Sequence, residues 1–317
     1  MSNSFVLEIC VESVDDAVAA ERGGADRIEL CSDLASGGIT PSAGLMQTTR
    51  RHVKVPIHVL IRPRAGDFCY SDRELETMRN DIQAAKQAGM NGLVLGILRE
   101  DNHVDVERTK MLVDLARPLP VTFHRAFDLV KKQATAVEEV IQTGATRILT
   151  SGGETKATEA LLVLTQLTQA AKNRILIMPC GGINSGNILR VLRTTSAREI
   201  HTSLGASQTR AAKNGQHTGR PTSTKRSGLH SATFEKKVAE LVGRLLEHRG
   251  DGGVVGDIGL HRKRGASCAF DFDCDRLGAR EYEVVDHDSA RTVVGEMQSH
   301  SAADALPCAG DQADVTL

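Results

Sequence analysis

The sequence has no tryptophan and only two tyrosines among 317 residues, absences that by themselves exclude little. An excess of one charge is also missing. With 39 Lys and Arg against 40 Asp and Glu, neither a polyanion nor a membrane surface is demanded as partner, and no dedicated nucleic-acid motif stands out. No apolar run is long enough to span a bilayer. The first apolar run is strand-sized and follows only a few residues, which speaks against a signal peptide. A disulfide framework is not expected either. The seven cysteines are odd in number and scattered singly, which fits reduced thiols in a cytoplasmic protein.

What the chain does have is alternation. Eight runs rich in aliphatic and β-branched residues recur: FVLEICV, RIEL, PIHVLIR, GLVLG, PVTFHR, RILTS, ILIMP and REIHTS. Between them lie stretches of helical period such as VDDAVAAERGG, SDRELETMRNDIQAAKQAG and ATEALLVLTQLTQAAK. Gly23, Gly89 and Gly144 fit helix C-caps. Strict strand–helix alternation implies parallel strands with right-handed crossovers. Eight such units predict an α/β chain folded as a (β/α)8 barrel of the TIM type over residues 1–249, closed by TFEKKVAELVGRLLEHR as its last helix. A doubly wound open sheet is the alternative. Two segments fall outside the repeat. Residues 206–232 carry Arg210, Lys213, Arg220, Lys225 and Arg226 and no acid, and read as a basic loop. Residues 250–317 are rich in Gly, Asp, Ser and Ala without sustained period, and predict a low-order tail in which CAFDFDCD and EYEVVDHDS are a weaker hairpin candidate.

In a parallel barrel alternate strand residues point inward, and the C-terminal strand ends build the site. With Leu7, Ile9 and Val11 facing the helices, Glu8 and Cys10 point into the barrel. With Ile28 and Leu30 facing out, Glu29 and Cys31 do the same from the adjacent strand, and the cysteines are nearer the mouth. A buried cysteine commonly fills space as a small hydrophobe. A buried carboxylate needs a cation, hydrogen bonds or a raised pKa. Partners stand at other strand ends: Arg62 and Arg64, then His124, Arg125 and Asp128, then His201 and Ser203. Gly152 and Gly153 in TSGGE, and Gly181 and Gly182 in CGGI, offer backbone N–H groups where barrels cradle phosphate, or form plain tight turns. The cluster predicts a small anionic ligand held by Arg62, Arg64, Arg125, these four glycines, His201 and Ser203. Satisfied ion pairs closing the barrel are the alternative.

Six stretches in order, LEICVES, ERGGADRIELCSDLASGGITPS, IRPRAGDFCYSDRELETMRNDI, RPLPVTFHRAFD, ILTSGG and MPCGGI, resemble the CutC copper homeostasis family from about Phe5 to at least Thr202. The resemblance implies a cytosolic TIM-type barrel that forms homo-oligomers and handles copper by binding Cu(I). It puts the family's ligand cysteines on Cys10 and Cys31, and Cu(I), a soft ion, prefers thiolates. Cys180 stands where a glycine is more usual, His58 replaces an apolar strand residue, and SLGASQTRAAKNG replaces an arginine-bearing continuation after His201. Inward residues of neighbouring barrel strands occupy different layers, so a two-sulfur site requires diagonal side chains to converge.

Two functions compete. In copper homeostasis, Cys10 and Cys31 become thiolate ligands while Arg62 or Arg125 offsets their charge. In an enzyme acting on a phosphorylated or otherwise anionic small molecule, Glu8 or Glu29 is the general base and His124 the proton donor. The arginines with Gly181 and Gly182 then clamp the anion. One version is a phosphoester hydrolase in which Glu8 and Glu29 hold Mg²⁺ or Mn²⁺. A structural oligomer without a site is the third reading.

Overall fold

Strands β1 (Val6–Val11), β2 (Arg27–Leu30), β3 (Ile57–Leu60), β4 (Gly92–Leu95), β5 (Val121–Phe123), β6 (Arg147–Thr150), β7 (Leu176–Pro179) and β8 (Glu199–Thr202) each fall inside one of the aliphatic runs. The computed structural model describes residues 5–204 and 224–250, with side-chain surroundings for 5–204 and 231–247. Most of the expected basic loop, and the expected tail with its hairpin candidate, lie outside the described residues. All eight strands are parallel, in the order β7-β6-β5-β4-β3-β2-β1-β8. With β1 paired to both β2 and β8, the sheet curls into a nearly closed barrel rather than a doubly wound sheet. Across the last seam the Thr202 hydroxyl donates to the Ile183 carbonyl over 2.7 Å.

Eight α-helices are described: α1 (Val14–Arg22), α2 (Ala43–His52), α3 (Asp72–Gln87), α4 (Val106–Ala116), α5 (Gln133–Thr143), α6 (Leu161–Ala171), α7 (Ile188–Thr195) and α8 (Thr224–Gly250). Their starts follow from capping chemistry: Ser13, Ser42, Ser71 and Asp105 each accept a first-turn N–H, and Ser71 with Glu74 makes a reciprocal capping box. Gly144 (φ +82°) caps α5 and Gly23 caps α1 as expected, and the left-handed turn after α1 falls on Gly24 (φ +95°). Gly23 also serves packing, since a Cβ there would lie 2.6 Å from Val238 Cβ of α8. Helix α8 starts at Thr224, so residues 224–232, expected as loop, have helical backbone. The buried stripe Phe234, Val238, Leu241 and Leu245 anchors this helix, and adding turns to an anchored helix costs little compared with nucleating one.

The outward strand residues pack against the helices as an apolar core in which Leu7, Ile9, Ile28, Leu30, Ile57 and Leu93 are fully buried. The inward face is charged. Arg27 lies 2.5 Å from Glu8 and 2.5 Å from Glu199, and Arg147 donates to both oxygens of Glu199 over 2.7 and 3.2 Å. The two arginines and two glutamates cancel, and all four are under a tenth exposed. Burial alone would raise the Glu8 carboxyl, but Arg27 and His201 outweigh it and hold Glu8 well below the usual carboxylate range. Glu199 is likewise lowered, burial being outweighed by Arg147 and Arg27. His58, the departure in β3, fits because its register partner in β4 is Gly92, where any Cβ would meet the imidazole at 2.4 Å. Burial lowers the His58 pKa to about 4, against the pull of Glu8 at 3.8 Å.

Two outcomes follow from this interior. Arg27→Met leaves Glu8 and Glu199 without their shared cation, and urea unfolding should register a loss of about 3–5 kcal/mol. A loss under about 1 kcal/mol would show that the network contributes little net stability. The second concerns pH. As pH falls, the unfolded chain protonates His58 near its ordinary 6.5 while the native ring resists until about 4. Stability from this group is therefore lost from pH 6.5 downward, by about 1.4 kcal/mol per pH unit. The depressed carboxyls of Glu8 and Glu199 act with the same sign further down: their contribution is present above the ordinary carboxylate pKa and is lost as pH falls through their folded values. The drop in stability between pH 6.5 and 4.5 should shrink in His58→Leu, and an unchanged drop would exclude His58 from the acid response.

Candidate metal centre

The β1–β2 register pairs Cys10 with Glu29, which leaves Cys31 diagonal to Cys10 and one step nearer the mouth. The side chains converge all the same. The two sulfurs are 3.6 Å apart, Cys10 Sγ is 3.5 Å from Glu29 Oε1, and Cys31 Sγ is 3.6 Å from the Val11 carbonyl. Both thiols are free and buried, packed with Leu60 and Val94. The hydrogen bond with Cys31, burial, and the Glu29 carboxylate push the Cys10 thiol far above its ordinary value.

Glu29 is the strained member of the group. Its Oε2 is buried without a hydrogen-bond partner among the described residues, and His201 Nδ1 is 3.8 Å away. Burial raises the Glu29 carboxyl to about 6, with His201 pulling it back. His201 Nδ1 lies 2.8 Å from Glu8 Oε1. Burial would lower this imidazole, but Glu29 and Glu8 outweigh it and its pKa is raised. Cys10, Glu29 and His201 each offer one ligand atom within 4.8 Å of the others.

Cys10 and Glu29 line a cavity of about 720 Å³, with His124, Arg62, Arg125, Cys180, Gly181, Gly182, His201 and Ser203 around it and Lys237 and Glu240 contributed by α8. Glu8 and Cys31 are fully buried and do not line it. Arg62 donates through its Nη atoms to the carbonyls of Ser36, Gly38 and Gly66 and stacks over Phe68 at 4.8 Å, so it braces loops more than it addresses the cavity. Arg64 is not brought to the cavity: it binds Asp67, Glu74 and the Cys69 carbonyl. His124 Nδ1 accepts the Ala126 N–H, which puts the proton of the neutral ring on Nε2, an atom with no partner among the described residues. Burial and then Arg62 lower its pKa to about 3. Cys180 packs with Leu149 and Met178, and burial pushes its thiol far up.

The two glycine loops differ. After β6, Asp128 accepts from the N–H groups of Ser151 (3.0 Å) and Gly153 (3.3 Å) and from the Thr150 and Ser151 hydroxyls, and it pairs with Arg125 at 2.8 Å. An internal carboxylate thus fills that cradle, and Gly152 and Gly153 do not line the cavity. Gly181 (φ +90°) and Gly182 (φ +66°) do. Sequence reading missed Arg27, Arg147 and Glu199, although strand parity marks them: Arg27 stands two residues before Glu29 and Glu199 two before His201. It also missed Lys237 and Glu240, which no strand-parity argument reaches because they lie on a helix.

Residues 5–206 match the model of the CutC family. The human protein described as copper homeostasis protein cutC homolog is 52% identical over 202 residues, 64% of this chain and 74% of its own. The mouse homolog of the same description is 52% identical over 206 residues, 65% of this chain and 76% of its own. Among solved structures, CutC of Streptococcus agalactiae aligns with a TM-score of 0.60 at 34% identity, covering 63% of this chain and 98% of that one. The YdjI aldolase of Escherichia coli K12, at 16% identity and a TM-score of 0.53 over 76% of this chain and 91% of its own, shares the fold alone. No helix among the described residues is long and apolar enough to cross a membrane. With a family match over most of the described barrel and half of its residues shared with the mammalian proteins, the chain belongs to the CutC copper homeostasis protein family.

Proposed function

We propose that the chain handles copper by binding one Cu(I) between the thiolates of Cys10 and Cys31. The observation that carries this reading is the 3.6 Å approach of two buried, unpaired sulfurs from adjacent strands. The names of the human and mouse relatives point the same way, and a soft monovalent ion prefers thiolate donors. With metal–sulfur bonds of about 2.3 Å, in-line thiolates stand about 4.6 Å apart and those of a trigonal centre about 4.0 Å. The observed spacing is nearer the trigonal value, and Glu29 Oε1, 3.5 Å from Cys10, is the adjacent oxygen. The Cys10 thiol is held protonated well above neutral pH, so uptake of the ion displaces protons and weakens as pH falls. Two thiolates and one Cu(I) carry a net negative charge, which His201, shared with Glu29 at 3.8 Å, offsets only in part.

An anaerobic Cu(I) titration against a competing chelator tests this. Cys10→Ser and Cys31→Ser should each lose more than the ~10–100-fold that removal of an outer-shell partner costs. Cys69→Ser, in the β3–α3 loop, and Cys180→Ser, packed with Leu149 and Met178, should bind as the parent does. Full affinity in the Cys10→Ser, Cys31→Ser double variant would defeat the assignment.

The cavity favours a second reading, an enzyme acting on a small anionic molecule, because about 720 Å³ far exceeds what one ion requires. Gly181, Gly182, Arg125, Lys237 and the Nε2–H of His124 supply donors, and Glu29 is the available base. Both Glu8 oxygens are engaged by Arg27 and His201, so Mg²⁺ or Mn²⁺ shared by Glu8 and Glu29 would have to displace one of them. Phosphate should raise the melting temperature of the parent and do markedly less for Arg125→Ala. Equal stabilisation of both would remove Arg125 from an anion site.

A further inference from the structure

We propose that Cys10, Glu29 and His201 form a second metal site, for a divalent ion of the zinc class, which shares Cys10 with the copper site and excludes Cys31. One sulfur, one oxygen and one nitrogen donor lie within 4.8 Å of one another on three strand ends. Three protein ligands of these types with an open fourth position make the arrangement of a reactive zinc site rather than a closed structural one. Here the open side is the cavity that all three residues line.

Two independent features point to an ion. Glu29 is about 5% exposed and its Oε2 has no hydrogen-bond partner among the described residues, a costly state that a cation relieves. His201 gives Nδ1 to the Glu8 carboxylate at 2.8 Å, and Glu8 is fixed in turn by Arg27 at 2.5 Å. A carboxylate behind a histidine is the arrangement that fixes a metal-binding imidazole in place, and the same Nδ1 lies 3.8 Å from Glu29 Oε2. Charge discriminates between the two sites. A thiolate, a carboxylate and a neutral imidazole bring two negative charges, which a divalent ion cancels, whereas the Cys10–Cys31 pair brings two soft sulfurs and suits Cu(I). Occupation of either site consumes Cys10 and so denies it to the other.

Co²⁺ serves as the spectroscopic probe for zinc in the full chain under anaerobic conditions. The parent should take up one Co²⁺ with a thiolate-to-cobalt charge-transfer band, and Zn²⁺ should bleach it. Cys10→Ser should abolish the band, Glu29→Gln should weaken binding by more than the ~10–100-fold that loss of an outer-shell partner costs, and Cys31→Ser should keep the band. If Glu29→Gln does not fold, Glu29→Asp, which withdraws the carboxylate, reads the same loss. Absence of the band in the parent, its survival in Cys10→Ser, or its loss in Cys31→Ser would each overturn the proposal. Cys31→Ser also keeps the two readings apart: copper binding that survives this substitution defeats the copper assignment, and loss of the cobalt band defeats only the divalent site.

Discussion

Arg27 sits inside the barrel between Glu8 and Glu199, 2.5 Å from each, and Arg147 on the other side of Glu199 completes a neutral chain of four buried charges. Removing such ions from water costs several kcal/mol apiece, and close pairing with further hydrogen bonds is what offsets it. The arrangement above depends on this chain. Because Arg27 keeps Glu8 ionised, Glu8 can hold His201 by Nδ1. Because His201 is held there, its distance to Glu29 stays at 3.8 Å, too long to satisfy Oε2. The reactive edge of the site is therefore a consequence of pairing deeper in the barrel, where Glu29 is the carboxylate left over.

Cys10 joins that edge to an apolar floor. A protonated thiol packs with Leu60 and Val94 at little cost, and Cys10 and Cys31 fill the space as small hydrophobes do. A thiolate in the same place would be an uncompensated buried charge beside Glu29. The site can thus stay neutral and packed by itself and acquire charge only together with a cation. This coupling makes the proposed metal chemistry compatible with a core position.

Strand parity made much of this legible. The assignment of Leu7, Ile9 and Val11 to the helix side and Glu8 and Cys10 to the interior needs only a period of two in a strand buried on both faces, and the barrel has it so. The diagonal relation of Cys10 and Cys31 also follows from parity, but the 3.6 Å approach of their sulfurs does not, because it depends on side-chain rotamers. The same rule pointed at Arg27, Arg147 and Glu199, yet charged residues at strand starts read as boundary residues rather than interior ones. Arg64 shows the opposite failure. It stands two residues from Arg62, but β3 ends at Leu60, so parity guides neither residue, and the Arg64 side chain turns to Asp67 and Glu74.

The glycine pairs set the limit of such reading most clearly. TSGGE and CGGI look alike, and both turn on positive-φ glycines after a strand. In the first, the N–H groups of Ser151 and Gly153 are claimed by Asp128, which arrives from the β5 loop, 25 residues before Gly153. In the second, Gly181 and Gly182 stay on the cavity wall. A loop of N–H donors attracts whichever anion is closest, and an internal carboxylate held by Arg125 is always at hand. Whether such a loop recognises a ligand or closes on its own chain is decided by a residue on another strand end, so it is a property of the barrel rather than of the motif.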